Sequence, residues 1–501
     1  MNNKQIKVGA VISYIAIFVN IAAMLIYTPW MVETIGKSQY GLYTLANSLI
    51  TLFLVDFGLS SATARYLSKY NAAGDLAGAE RFLGAVYKLY AVIDTVILCA
   101  LTVVFFLLDQ IYVNLTPTEL EQFKVVYVIC ALFSVINFPL TTFNGILTAY
   151  ERFIPLKIAD VLYRICNIVF AVIALLLGYG LYALVAVHAL VGLLTLAFKF
   201  IVIRKTVPLK VDFRSGGNGI YKDIFGFSIW VTVSSLAARL VFTITPSILG
   251  IVASSAAIAV FGIVTTIESY AYTITTAING MFMPRIAKIL TNKNAGNDLN
   301  RLFVDVGRFQ YALNGLIIAG FAVVGKDFIH LWMGVDYTQA YTGILLVLVP
   351  GLFFNALQIA NTTMVVENKV KVTAMIYLLT GVINVVLSFP LSRQLGVTGA
   401  CISIAIAYIV RDVLFHIVYH RELSLDIPAF IRVCYVRMSV PILLTVLCGM
   451  AINVVISNVD WMSLILKAMM VTVIYLLLVF SCGLSREEKH RVMACIKINR
   501  K

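Results

Sequence analysis

The chain has 501 residues, of which 61% are hydrophobic and only 12% charged; soluble domains carry about 25% charged residues, so a water-soluble globule is excluded. A formal net charge of +14 would suggest nucleic acid in a soluble domain, but here the placement of the charges along the chain decides their meaning. The eight cysteines lie mostly inside apolar runs, none in metal-ligand spacing, and read as small packing residues without a disulfide framework.

The basic start, Met1 to Lys7, precedes an apolar run over 8–32. That run is too long for a signal-peptide core and lacks a small-residue cleavage site, so it reads as a retained first span. Further runs long enough to cross a bilayer, about 20 residues each, cover 38–64, 82–108, 124–148, 155–178, 181–203, 222–250, 255–284, 303–325, 339–363, 370–390, 395–419, 433–457 and 461–483. They are continuous rather than alternating, which favours helices over tilted strands. The expectation is an all-α integral membrane protein of about fourteen transmembrane helices.

Charge sorting tests the count. With the N-terminus on the cytoplasmic side, 31 of the 38 Lys and Arg residues, Arg411 among them, fall in cytoplasmic segments or toward cytoplasmic span ends, 5 fall outside or at outer span ends, and Arg164 and Arg239 fall within spans. One miscounted span would flip every later loop, so the positive-inside rule supports both count and orientation, with both termini cytoplasmic. The basic excess is therefore topological and gives no support for a nucleic-acid partner.

A polar stretch, Arg214 to Gly219, follows the sixth span and reads as a linker. It divides the chain into 1–210 with spans one to six, 211–425 with spans seven to twelve, and 426–501 with two added spans and a basic tail. The two halves repeat. Thr28-Pro29 matches Thr245-Pro246, Asn144 matches Asn361 and Asn167 matches Asn384, each 217 residues on. Tyr40-Gly41 matches Phe261-Gly262, Asn71–Asp75 matches Asn294–Asp298, and Gly180–Ala183 matches Gly396–Gly399 at similar offsets. Six spans per half make both halves enter from the same side, so they form a parallel repeat about the membrane normal. Transporters use this design, with a midplane site between halves and alternating access.

Ionisable residues within spans are functional candidates because each costs about 2.5–3.5 kcal/mol to insert. Arg239 lies midway along span seven and Glu268 in span eight; they either form a buried pair or face a water-filled cavity and contact an anionic substrate or a coupling ion. Asp160 and Arg164, four apart in span five, suit a local ion pair. Asp56, Asp94 and His188, polar groups in spans two, three and six, read first as satisfied structural residues, and Asp56 or Glu268 also suits a proton relay. Arg65 ends span two and Arg285 ends span eight, either as topology anchors or as a symmetric pair of phosphate contacts, a role that suits the forked guanidinium. No phosphate-binding loop, HExxH, GxSxG or metal cluster occurs in the sequence. The reading is thus a transporter without cofactor, not an enzyme.

Gly36-Lys-Ser-Gln-Tyr-Gly-Leu-Tyr43 and Leu54-Val-Asp-Phe-Gly-Leu-Ser-Ser-Ala-Thr-Ala-Arg-Tyr66 resemble the first two spans of bacterial polysaccharide transporters. These are the O-antigen and capsule repeat-unit flippases of the multidrug/oligosaccharidyl-lipid/polysaccharide (MOP) superfamily. The resemblance implies two pseudo-symmetric six-helix lobes in a V around a cationic cavity lined by spans one, two, seven and eight, with two extra C-terminal helices. It implies movement of an undecaprenyl-pyrophosphate-linked oligosaccharide to the outer leaflet of the bacterial cytoplasmic membrane, driven by an H+ or Na+ gradient. It implies membrane lipids, a polysaccharide polymerase and glycosyltransferases as partners. It supports Arg239, Arg65 and Arg285 as headgroup contacts and Glu268 as a cavity carboxylate. Span one departs from some relatives in carrying no charge along its inner two-thirds. The alternatives are a multidrug or small-molecule exporter of the same superfamily, against which the last two spans argue, and a membrane-embedded glycan polymerase, for which the outer loops are short.

Overall fold

The computed structural model describes residues 21–53, 57–213, 218–276, 279–290, 295–367, 369–484 and 489. Among them every regular element is helical, and twelve helical segments are long and apolar enough to cross a membrane. These twelve coincide with expected spans three to fourteen. The first expected span is described as α1 (Ile21–Ile35), and the second as α2 (Lys37–Phe53) and α3 (Leu59–Ala72). Asp56 lies between these two, outside the described residues.

The order continues with α4 (Leu76–Ile111), α5 (Pro117–Leu140), α6 (Thr142–Ala149), α7 (Phe153–Leu176), α8 (Leu181–Thr206), α9 (Asn218–Phe242) and α10 (Thr245–Val252). Then come α11 (Ser255–Thr276), α12 (Asn279–Leu290), α13 (Ala295–Met333), α14 (Gln339–Ala356), α15 (Gln358–Val366), α16 (Val370–Leu395) and α17 (Val397–Leu423). A short α18 (Ile427–Phe430) leads into α19 (Arg437–Val455), and α20 (Trp461–Leu478) follows.

The repeat seen in the sequence reappears in the elements. The starts of α2, α3, α4, α7 and α8 precede those of α11, α12, α13, α16 and α17 by 216 to 220 residues. Spans four and ten break at equivalent places, Thr141 and Leu357. In span four the cause is local. Pro139 lacks an N–H and crowds the preceding turn, and the hydroxyls of Thr141 and Thr142 bond the carbonyls of Phe138 and Pro139 at 2.7 Å.

Two helices outrun their expected spans. α4 has 36 residues and α13 has 39, about 54 and 58 Å at 1.5 Å per residue, well beyond a hydrocarbon core of about 30 Å. Asp75 caps the start of α4 by accepting from the Gly78 N–H at 2.8 Å. The loop between expected spans three and four shrinks to Tyr112–Thr116, because α4 runs on to Ile111 and a capping box of Thr116 and Glu119 starts α5 at once.

By contacts the chain divides into two units. The first comprises Trp30–Gly262 with Tyr377–Gly396, and the second Met1–Pro29, Ile263–Ile376 and Val397–Lys501, as far as they are described. In the first unit α5 is central, packing on α2, α4 and α8. Leu42, Leu45, Phe123, Val126 and Leu184 are buried in its core, and Tyr112, Phe123 and Tyr127 stack edge to face between α4 and α5.

In the second unit α13 is the hub for α14, α19 and α20. The last two spans dock on it through close approach and polar bonds. Gly449 sits against Val323, and Gly315 against Ile442 and Tyr475; a Cβ at either glycine would collide. Tyr475 donates to the Ala312 carbonyl at 2.6 Å, Asn453 to the Val323 carbonyl at 2.8 Å, and Tyr311 and Ser439 share a bond of 2.7 Å. Lys467 is 2% exposed and meets Asp327 at 2.8 Å. Outside the spans, Lys369 ties the α15–α16 turn to the end of α17 through Glu367 at 2.8 Å and Glu422 at 3.3 Å, and the bond its ammonium donates to the Glu367 carboxylate holds its pKa above the ordinary lysine value.

Removing one partner of a buried ion pair strands the other charge and typically costs about 3–5 kcal/mol, whereas apolar replacement of both is often neutral. Lys467→Met should therefore lower the thermal unfolding midpoint of the purified protein, and Lys467→Met with Asp327→Leu should recover most of that loss. Equal losses in the single and double variants would show that the pair does not anchor α20.

Candidate functional site

Arg239 owes its position to a helix break. Pro246 has no N–H, so the helix cannot run through Thr243-Ile244, and α9 ends at Phe242. The N–H groups of Thr243 and Ile244 both turn to the Arg239 carbonyl at 3.1 Å. The next carbonyls lose their helical donors inside a span, where lipid offers none. Asn384 of α16 supplies them. Its fully buried amide donates to Leu240 O at 3.0 Å and Val241 O at 3.1 Å, while Thr245 Oγ1 bonds Val241 O. α16 can approach this closely because residue 381 is glycine; a Cβ there would lie 2.7 Å from Leu240 Cβ and 2.9 Å from the Ala237 carbonyl. The half-buried Arg239 thus stands one turn before a rigidly capped kink.

In the second unit, Glu268 has a charged neighbour that the sequence reading assigned elsewhere. Arg239 belongs to the first unit and Glu268 to the second, and within its unit Glu268 interacts electrostatically with Arg411. Arg411 was expected as a cytoplasmic anchor, but it is only 5% exposed. Its guanidinium lies 3.7 Å from the ring centroids of both Phe354 and Tyr408. It also donates through Nε and Nη2 to Asp412 Oδ1, each at 3.1 Å. Stacking and forked bonding are both specific to arginine. His416 extends the cluster, with one ring nitrogen on the Asp412 carbonyl at 2.6 Å and the other on the Tyr435 hydroxyl at 2.8 Å. The signal available in the sequence was Tyr408, Arg411, Asp412 and His416 within one apolar run.

Two lysines take the place of the expected Arg164 as partners of Asp160. Asp160 meets Lys199 of α8 at 3.6 Å and Lys157 at 3.9 Å, and Lys199 also donates to Asn144 Oδ1 at 3.0 Å. Arg164 is exposed on α7. Lys199, only 8% exposed, needs a counter-charge more than the exposed Arg164 does, which explains the exchange. His188 is not alone either: its ring meets the Tyr163 hydroxyl at 3.1 Å and the Asn167 amide at 3.4 Å. Asp94 is half-buried on α4, its Oδ1 without a hydrogen-bond partner among the described residues. Arg65 and Arg285 are exposed at the seventh residue of the equivalent helices α3 and α12.

One polar node was missed altogether. Ser38 at the start of α2 and Ser255 at the start of α11, 217 residues apart, both donate to Glu119 Oε1. Glu119 Oε2 meanwhile accepts from the Thr116 N–H at 2.9 Å. The two helices touch there because residue 41 is glycine; a Cβ would fall 2.1 Å from the Ser255 carbonyl. Asn114 adds a bond to the Ile251 carbonyl. The sequence held half of the signal, since both serines obey the repeat, but nothing local connects them to Glu119.

The family model for "Polysaccharide biosynthesis protein" matches residues 7–290. The chain belongs to that family. It is 23% identical over 493 residues to "Uncharacterized membrane protein EpsK" of Bacillus subtilis (strain 168), with 93% of each chain covered. It is 26% identical over 207 residues to "Putative O-antigen transporter" of Shigella flexneri, spanning 41% of this chain and 48% of that relative. In fold it is similar to "Lipid II flippase MurJ, inward closed conformation", with a TM-score of 0.72, 13% identity, and coverage of 93% of this chain and 98% of that one. A multidrug resistance MATE family transporter of the MOP superfamily, in its inward-facing conformation, gives a TM-score of 0.66 at 15% identity, covering 82% of this chain and 99% of that one. The chain is therefore a multi-pass membrane protein that shares the fold of those two structures.

Asn384→Ala should leave the Leu240 carbonyl at the α9–α10 kink unsatisfied and Val241 O with the Thr245 hydroxyl alone, at about 1–3 kcal/mol for such a buried group. The unfolding midpoint should fall clearly, while Asn167→Ala, which caps no break, should fall less. Equal effects would remove the special role of Asn384.

Proposed function

We propose that this polysaccharide biosynthesis protein is a flippase for an undecaprenyl-pyrophosphate-linked oligosaccharide, moved between leaflets by alternating access of the repeat halves 1–210 and 211–425. The observation that carries the reading is Arg239, a guanidinium held within a span beside a capped helix break, in a family named for polysaccharide biosynthesis. A pyrophosphate cannot shed its hydration into hydrocarbon unaided, and the forked guanidinium replaces that hydration with charge-assisted bonds. Arg65 and Arg285 serve as further phosphate contacts at their equivalent helices.

Glu268, with Arg411, Asp412 and His416, is the candidate for coupling to an H+ or Na+ gradient, since its carboxylates and imidazole can exchange a cation or proton within the spans. The Ser38–Glu119–Ser255 node serves as the closed end of the pathway, holding the equivalent helices α2 and α11 together by hydroxyl bonds that are easily exchanged for water. The charge sorting supports cytoplasmic termini, and with them a bacterial cytoplasmic membrane. Export of small amphiphilic drugs is the second reading, favoured by the likeness to the MATE transporter.

Arg239→Ala should abolish surface glycan in a strain that depends on this protein, while the protein remains at normal levels in the membrane; normal glycan would remove Arg239 from the pathway, and drug sensitivity with intact glycan would favour the second reading. Ser38→Cys with Ser255→Cys should form a cross-link that stops glycan export and releases it on reduction. Undiminished export by the cross-linked protein would show that α2 and α11 do not part there.

A further inference from the structure

A second site lies at the end of α8, beyond the Lys199–Asn144–Asp160 cluster and sharing none of its residues. The segment 207–213 after α8 does not swing free. The Lys210 N–H donates to Glu80 Oε1 at 3.0 Å, and the Asp212 N–H donates to the Glu80 carbonyl at 3.3 Å. One turn further along α4, Gly84 lets the segment lie directly on the helix; a Cβ there would fall 1.8 Å from the Asp212 carbonyl. Glu80 and Gly84 thus pin the segment as a strap across α4.

Beneath the strap is a cavity of about 740 Å³, within the range of ligand pockets. Its walls are apolar. Phe143 and Phe200 face each other with ring centroids 6.0 Å apart, and Leu83, Ile146 and Ile203 complete the floor. Its rim is cationic. Arg204 sits over the Phe200 ring at 5.5 Å, and Lys210 lines the strap side. Arg152 approaches from α7, donating to the Thr206 carbonyl at 3.5 Å.

The rim carries two cations and one carboxylate among its described lining residues, Arg204 and Lys210 against Glu80. Among the described residues neither cation makes an ion pair within 4 Å, and Glu80 is oriented by the Lys210 backbone N–H, so the mouth is net cationic. The depth is also informative. The apolar run of α8 stops at Arg204-Lys205, so the rim stands where bilayer phosphates lie and the aromatic floor stands at the level of the upper acyl chains. A cationic mouth over an apolar floor matches an amphiphile with an anionic head, and basic pockets between helices at the membrane surface bind such headgroups. A zwitterionic lipid would present its own ammonium to the same cations and gain less.

We propose that this cavity is a specific site for an anionic phospholipid of the bilayer, its phosphate on Arg204 and Lys210 and its chain against Phe143, Phe200 and Ile203. The bound lipid fills the space under the strap and ties α8 to the segment that leads into α9. This site is independent of the flipped substrate and of the transport reading.

The test uses the full chain purified in neutral detergent and titrated with phosphatidylglycerol, with bound lipid counted by native mass spectrometry. Wild type should retain a tight phosphatidylglycerol through washing, and should retain phosphatidylethanolamine much less. Arg204→Ala with Lys210→Ala should weaken retention roughly tenfold or more, as expected for two interfacial cations. Ile203→Trp, which fills the floor and leaves the charges in place, should also abolish it, while Lys326→Ala on the other unit should bind as wild type. Val211→Trp, from the strap side, serves if Ile203→Trp does not elute as a single folded species. Undiminished binding with the floor filled would reduce the rim to a charged surface and overturn the proposal. Equal retention of phosphatidylethanolamine, or displacement of phosphatidylglycerol by undecaprenyl phosphate at equal or lower concentration, would overturn it as well.

Discussion

Lipid offers no hydrogen bonds, and this constraint governs how the helix breaks in spans four and seven are built. A helix that breaks within a span exposes carbonyls that only protein can satisfy. The protein meets that demand in two ways. In span four the threonines beside Pro139 fold back on their own turn. In span seven the nearby hydroxyl is not enough, and Asn384 crosses from α16 to hold Leu240 and Val241. The second solution needs a close helix–helix approach, and Gly381 permits it. Arg239 is fixed in place as a consequence, because the helix that carries it cannot slide without uncapping the break.

The repeat provides two copies of each helix pair, but the copies have diverged in what they do. Asn384 caps a kink, whereas its counterpart Asn167 bonds the His188 ring. Ser38 and Ser255 have kept the same role, and both converge on a single glutamate that the repeat does not duplicate. Divergence is greatest where charge is buried. One half carries Asp160 with Lys199, the other Arg411 between two aromatic rings with Asp412. Duplication therefore preserved the backbone plan and left the polar chemistry free to specialise.

Buried cations are matched throughout by the element that lies nearest in space, often far away in sequence. Lys467 takes Asp327 across 140 residues, and Lys199 takes Asp160 across the α7–α8 contact. Arginine at 411 uses ring stacking as well as a carboxylate, which a lysine would do poorly. Such pairings cost desolvation and return it only with good geometry, so they mark where one helix must register against another. The rim of Arg204 and Lys210 is different. Among the described residues its two cations make no ion pair within 4 Å, and in the lipid site proposed above they take an anionic headgroup instead.

Sequence alone determined the helical class, the positions of the spans, the charge bias of their ends and the 217-residue repeat. Each of these depends on local composition or on a regular period, which survives without knowing what touches what. It also marked Arg239, Glu268, Arg65 and Arg285 by their chemistry. Tertiary structure decided the partners. Asp160 abandoned Arg164, Arg411 turned from surface anchor to buried core, and Glu119 gained two serines from helices that are distant in the chain. These outcomes depend on which helices pack together and on glycines such as 41, 84 and 381 that let backbones meet, and no pattern within a single span encodes them.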